Sequence, residues 1–346
     1  MTAQGPQAGA FHLALASDAN PGYPAGLTVA AASALRHLSP QASLTVHVLD
    51  LGIPDADFAQ IEAILRKVRA DVSVRRHPID PARFKDLPHW KGSLAAYARL
   101  SLPDLLPEVD WVCYADCDVL FTGDLTDLFA LADSTFWMLG HSHDLPALPS
   151  VAAAQHRWHE AHGLPYDKTH YVCSGLLLMN LRAFREQDLT TRCLDFCRTY
   201  LDSRTPDQDA LNTVCREHMG ILPDFWGTID PQCAPRALQG AFPFMGMVPW
   251  CATRDRFCWY AGVYVRELAR LWRLTADKII PKDSPWRDAM PLLRGLWWQR
   301  WLSPLLWLRL PRWMAAPPWV RGRRARLKRL WFRRGEPIPE SDFWIE

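Results

Sequence analysis

The first 80 residues carry the pattern that most limits how this chain can fold. Residues 11–16, "FHLALA", form an apolar run of strand length. "AGLTVAAASALRHL" follows, with Leu27, Ala30, Ala31, Ala34, Leu35 and Leu38 at helical spacing. "SLTVHVLD" over 43–50 is a second strand, and Phe58, Ile61, Ile64, Leu65 and Val68 make one apolar helical face within 55–70. "DVSVRRH" is a third strand. Strand–helix–strand–helix–strand predicts an α/β architecture built on a parallel sheet with right-handed crossovers. A further helix, about 93–106, leads into a strand at 110–115. Sheets of this kind bind ligands beyond the carboxyl ends of their strands. No G-x-G-x-x-G follows the first strand, which counts against a dinucleotide fold of the dehydrogenase kind.

Later elements continue the pattern. "YVCSGLLLMNL" reads as a strand with a glycine hinge, and "DLTTRCLDFCRTYL" and "DQDALNTVCRE" read as helices. After about residue 255 the character changes, and from 285 onward Trp, Pro and Arg dominate. The expected division is a catalytic-type α/β domain over 1–255 and a helical, Trp- and Arg-rich region over 256–346.

One stretch stands out against the apolar background. "YADCDVLFTGD", Tyr114 to Asp124, places Asp116 and Asp118 one residue apart at a predicted strand end, and the apolar run resumes at Val119. Their oxygens suit a hard divalent cation such as Mg²⁺ or Mn²⁺, completed by water and substrate phosphates. The plainer alternative is a turn with both acids solvated and Asp124 capping a helix. Asp18 and Asn20 follow the first strand and fall at the same end of the sheet. His141 and His143, in "GHSHD", follow another predicted strand and are weighed as metal ligands against solvated loop histidines.

The run "SLAAYARLSLPDLLPEVDWVCYADCDVLFTGDLTDLF" resembles the donor-binding segment of the family-eight glycosyltransferases, which include glycogenin and bacterial lipopolysaccharide galactosyl- and glucosyltransferases. The resemblance extends to "ASDANPGY", "YVCSGLLLMNL" and "PDQDALN", and covers about 11–220. It implies a GT-A fold, a UDP-hexose donor, a Mn²⁺-type ion and retention of anomeric configuration. It puts Ala16, Asp18 and Asn20 at the uridine with Tyr23 nearby, and makes Arg99 a donor contact. Asp116 and Asp118 match the metal-binding acids, Asp116 also beside the ribose, with Cys117 and Ser174 at the donor. Asp207 and Gln208 match the residues beside the donor sugar, Gln208 near the anomeric carbon. The residues alone allow plainer roles: Arg99 as a surface charge paired with Asp104 or Glu108, and Asp207 as a helix N-cap.

Two positions depart from the family pattern. Cys173 stands where the family has Asn before Ser/Ala-Gly. In "AFPFMGMVPW", 241–250, Gly246, Pro249 and Trp250 fit the family's His-x-x-Gly-…-Lys-Pro-Trp segment, but the His is absent and Val248 replaces the Lys. The ion would then have two protein carboxylates, phosphates and water, with Lys91, Arg236 or Arg254 as alternatives for the missing charge. The loss also motivates a second reading, a non-catalytic protein that binds a nucleotide sugar or a partner at a membrane. A third reading, a metal-dependent phosphohydrolase, is disfavoured because the sequence shows no clustered set of further acids or histidines for a second ion.

Net charge of +2 hides an asymmetry. Between Pro291 and Gly335 lie 12 Arg and Lys and no acid, interleaved with Trp297, Trp298, Trp301, Trp307, Trp313, Trp319 and Trp331. Trp favours the headgroup interface, and Arg adds attraction to anionic lipid. Prolines at 304, 311, 317 and 318 break the segment into short pieces. It should therefore lie on a bilayer rather than cross one, and so many Trp beside Leu suit lipid better than nucleic acid. The first ten residues have no basic start or apolar core, so no secretory signal is expected. No run of about 18 apolar residues predicts a membrane span. Nine scattered cysteines without a C-x-x-C pair suggest a reducing compartment and no zinc site. The expected location is cytoplasmic, peripheral on the inner face of the cytoplasmic membrane. The expected acceptor is a saccharide, lipopolysaccharide or another lipid-linked glycan.

Overall fold

The computed structural model describes residues 9–19, 23–89, 93–142, 149–226 and 237–239. Its first half follows the predicted alternation: β1 (Ala10–Asp18), α1 (Tyr23–His37), β2 (Ser43–Leu51), α2 (Asp55–Val68) and β3 (Ser73–Pro78). Then come α3 (Leu102–Leu105), β4 (Trp111–Ala115), β5 (Val119–Phe121), α4 (Leu125–Phe129), β6 (Met138–Ser142) and α5 (Pro149–Ala161). The last elements are β7 (Val172–Asn180), α6 (Leu181–Glu186), α7 (Leu189–Thr199), α8 (Pro206–Val214), β8 (Met219–Ile221) and β9 (Ala237–Gln239).

The described strands form a seven-stranded sheet, β3-β2-β1-β4-β7-β6-β8, and a small pair, β5-β9. β1, β2, β3 and β4 are mutually parallel, as their helical crossovers require. β7 enters antiparallel to β4, with Ala115 opposite Leu176, so the sheet is mixed. Apolar residues bury on both faces. Leu13, Leu15, Val46 and Val48 pack toward α1 and α2, while Ala14, Ala16, Leu49 and Tyr114 pack toward Tyr97, Leu100 and the later helices. On the second face three imidazoles line up across β1, β2 and β3. His12 Nδ1 lies 3.0 Å from His47 Nε2, and His47 Nδ1 lies 2.9 Å from His77 Nε2.

The helix expected over 93–106 is a correction. Ala95–Ser101 is a 3₁₀ helix, followed by the single α turn of α3. Pro103 has no N–H to bond Arg99 four residues back, so Leu102 bonds the Arg99 carbonyl at the shorter spacing instead. This tight coil buries Tyr97, Ala98, Arg99, Leu100 and Ser101 together.

Candidate functional site

Asp116, Cys117 and Asp118 form the three-residue turn between β4 and β5, at the carboxyl end of β4. Asp116 N–H donates to the Gly175 carbonyl of β7 at 2.8 Å, and Val119 N–H closes the turn onto the Asp116 carbonyl at 3.2 Å. The turn alternative is thus correct about backbone shape, but both acids are half-buried rather than fully solvated. Asp124 does cap α4, accepting from Thr126 N–H at 2.9 Å, and also accepts from Ser39 N–H at 3.0 Å.

β1 ends beside this turn, because β1 and β4 are neighbours. The Cys117 thiol donates to the Ala16 carbonyl at 2.9 Å, and Ser93 Oγ donates to Asp18 at 2.6 Å. Burial, joined by the charges of Asp116, Asp118 and Asp18, pushes the Cys117 thiol well above its usual range. It is therefore a neutral packing group and a poor nucleophile. Burial likewise pushes Cys173 up to about 12, with Asp116 and Asp118 adding to the shift and the Gly175 backbone bond and Arg99 opposing it. Tyr23 begins α1 and packs, partly buried, against the core. Asn20 and His143 lie outside the described residues, as do Lys91, Arg236, the 241–250 segment, Arg254 and the whole region 256–346.

Arg99 is the centre of the arrangement. Only 2% exposed, it donates from Nε to the Ala96 carbonyl at 2.9 Å and from Nη1 to the Ser174 carbonyl. Its Nη2 lies 3.1 Å from Asp116 Oδ1 and 3.5 Å from Asp207 Oδ2, and its guanidinium sits 4.2 Å over the Tyr114 ring. The surface-charge alternative is corrected: Asp104 pairs with Arg83 instead. The fork closes on protein carboxylates, joining the acid of the β4 turn to the acid of α8. Burial opposes its charge, but Tyr114, Asp116 and Asp207 hold the guanidinium firmly protonated.

Asp207 is not the N-cap of α8. Thr205 holds that position, Pro206 fills the first helical place, and Asp207 sits in the first turn. Its carboxylate accepts from Ser174 Oγ at 3.2 Å and pairs with the Arg99 guanidinium at 3.5 Å. Burial raises its pKa, with Arg99 and Ser174 pulling the other way. Gln208 Oε1 accepts from Ser174 N–H at 3.0 Å. Ser174, on β7, thus ties Asp207, Gln208 and Arg99 into one buried cluster.

Asp116 Oδ1 is taken up by Arg99 and by the Tyr114 hydroxyl at 3.0 Å. Among the described residues no group of three or more His, Cys, Asp or Glu could hold a metal. His141 is buried on β6, which lowers its pKa, with Asp224 opposing the shift. Two half-buried carboxylates on one tight turn fit a cation that takes its remaining ligands from phosphate and water.

Tyr171, Gln155, Ser203 and Asp209, none of them singled out by the sequence pattern, form a second buried cluster beside Gln208. Residues two apart on a helix point about 200° from one another. Asp207 therefore faces Arg99 while Asp209 faces Tyr171, Ser203 and Gln155, a signal already present in the spacing of "DQD".

The chain is similar to several known proteins. It is 24% identical over 212 residues to General stress protein A of Bacillus subtilis, covering 58% of this chain and 65% of that protein. It is 26% identical over 219 residues to a lipopolysaccharide 1,2-glucosyltransferase of Escherichia coli, covering 62% of this chain and 61% of the relative. The chain therefore spans less than two thirds of the length of these curated relatives. Among solved structures it superimposes on the galactosyltransferase LgtC in complex with donor and acceptor sugar analogues. There the TM-score is 0.62 and identity 26%, over 80% of this chain and 99% of that one. The mixed sheet, with β7 antiparallel, is that of a GT-A-like glycosyltransferase. The sequence pattern of Glycosyl transferase family 8 matches residues 12–233, more than half of the chain, and the protein belongs to that family.

Proposed function

We propose that this protein is a retaining hexosyltransferase that moves a galactosyl or glucosyl unit from a UDP-sugar to a saccharide acceptor, lipopolysaccharide or another lipid-linked glycan. One observation carries the reading: Arg99 joins the acid turn of β4 to Asp207 at the start of α8. A diphosphate at the first and a hexose at the second would then lie on either side of one fixed guanidinium. Asp18, Ala16 and Tyr23, at the end of β1 and the start of α1, lie on the side proposed for the uridine.

Asp116 and Asp118 would hold Mn²⁺ or Mg²⁺, which when bound neutralises charge on the leaving diphosphate. Asp207 positions sugar hydroxyls by accepting hydrogen bonds from them. Gln208 brings an amide, a poor nucleophile, toward the anomeric carbon, so a covalent double displacement is disfavoured. In the proposed same-face reaction the acceptor hydroxyl forms the new C–O bond as the bond to the UDP phosphate breaks. The electron pair goes to the phosphate oxygen, which takes the acceptor's proton.

Among the described residues no helix is long and apolar enough to cross a membrane. The basic, Trp-rich segment is proposed to hold the protein on the anionic inner face of the cytoplasmic membrane, close to such an acceptor. The test is manganese-dependent hydrolysis of UDP-glucose and UDP-galactose, then transfer to lipopolysaccharide cores. Metal-dependent UDP binding without hydrolysis of either sugar would favour a non-catalytic binding protein.

A further inference from the structure

Gln208 has an amide whose two ends differ chemically, and its usefulness at a reacting centre depends on which end points where. On one side its Oε1 accepts from Ser174 N–H at 3.0 Å. On the other its Nε2 donates to Tyr171 Oη at 3.2 Å. The tyrosine is buried and fully committed. Its hydroxyl donates to Asp209 Oδ1 at 2.5 Å and accepts from Gln155 Nε2 at 2.8 Å in addition to Gln208. The Thr205 hydroxyl faces it as well, so donors crowd the phenolic oxygen and its own hydrogen is left to Asp209.

Asp209 anchors the arrangement. It is 1% exposed, its Oδ2 accepts from Ser203 Oγ at 2.5 Å, and Gln155 Nε2 and His159 Nε2 approach its Oδ1, the latter at 3.6 Å. A carboxylate that accepts from three side chains keeps the tyrosine hydrogen aimed at itself. Turning the Gln208 amide over would then set its NH₂ against the Ser174 N–H. It would also set its carbonyl oxygen against a Tyr171 oxygen with no hydrogen to offer. Both ends of the flipped amide would lose their bonds in a buried setting, where an unmade bond is costly.

We infer that Tyr171, aimed by Asp209, is the positioning residue that fixes which face the Gln208 amide turns to the donor sugar. This inference rests on the proposed transferase reading for its consequence but not for its geometry. Tyr171 does not touch the reacting atoms; it acts through Gln208. Removing only its hydroxyl leaves the ring packing in place and leaves the amide held at its Oε1 end alone, by Ser174.

The experiment is a cycle of Tyr171→Phe, Gln208→Ala and the double variant, assayed by manganese-dependent hydrolysis of the UDP-hexose that wild type turns over. Tyr171→Phe should lower kcat about 10- to 100-fold, as expected for a misplaced active-site group, and leave KM little changed. In the Gln208→Ala background it should have almost no further effect. Wild-type kcat in Tyr171→Phe, or an equal loss with and without Gln208, would overturn the inference. Failure of the transferase reading is separately visible, as a wild type that hydrolyses no UDP-hexose. In that case nitrogen-15 glutamine labelling decides the geometry. The Gln208 side-chain amide signals, identified by their loss in Gln208→Ala, should shift and broaden in Tyr171→Phe, and unchanged signals would refute the fixed orientation.

Discussion

Replacing Arg99 with Met would test whether the site and the fold share one electrostatic joint. The methionine keeps most of the apolar stem and removes the guanidinium. Asp116 is 38% exposed at its side chain and can turn to water, so the loss of its partner should cost little. Asp207 cannot: its side chain is 7% exposed and would keep only Ser174 Oγ and the start of α8. Stranding a buried charge costs about 3–5 kcal/mol, a large share of the roughly 5–15 kcal/mol by which domains are stable. The sign with pH follows from Asp207. Burial already raises its pKa, and removing Arg99 takes away a charge that lowers it. The variant carboxyl is therefore more readily protonated, and the deficit relative to wild type should grow as pH rises and shrink as pH falls. Urea unfolding followed by tryptophan fluorescence at several pH values measures this. Asp207→Asn added to Arg99→Met should recover much of the loss, since no buried charge is left without a partner. An Arg99→Met protein within about 1 kcal/mol of wild type, the range of a surface pair, would refute the reasoning. So would a double variant no more stable than the single one.

Asp118→Asn should abolish metal-dependent UDP binding with the fold intact; calorimetric titration with UDP, with and without manganese, checks it, and unchanged binding would remove the metal assignment. His47 is fully buried between His12 and His77, and burial, then those two imidazoles and Arg75, bring its pKa down to about 3. Because the unfolded imidazole takes a proton below about pH 6.5 and the folded one does not, stability should fall below that pH, by about 2 kcal/mol at pH 5. His47→Leu should flatten that slope in urea midpoints measured at pH 7 and 5, and an undiminished slope would count against the pairing. Truncation after Asp288 should yield a chain that hydrolyses UDP-sugar but no longer co-sediments with anionic vesicles, while the full-length chain binds them and is partly released by salt. Equal, negligible binding of the full-length chain to anionic and neutral vesicles would leave the basic segment as an ordinary solvated subdomain.

The sequence by itself determined the alternation of strand and helix through β3, the parallel start of the sheet, and the placing of Asp116 and Asp118 at a strand end. These follow from periods of two and 3.6 residues and from where apolar runs stop, which are properties of neighbouring residues. It also carried the family's residues in order, and with them the idea of a nucleotide-sugar site. Only the tertiary structure decided how those residues meet. The 93–106 segment carries a helical pattern in which Pro103 tightens the turn after Arg99, but nothing local in it says that the chain swallows Arg99 whole. That outcome depends on two carboxylates, 17 and 108 positions further along, arriving beside it. Their arrival depends in turn on β7 pairing antiparallel with β4, which brings Ser174 next to the acid turn. Tyr171 and Asp209 escaped notice for the same reason. A buried hydroxyl or carboxylate gains its role from partners supplied by other elements, and pairings between distant segments are fixed by packing and by the need to satisfy every buried polar group.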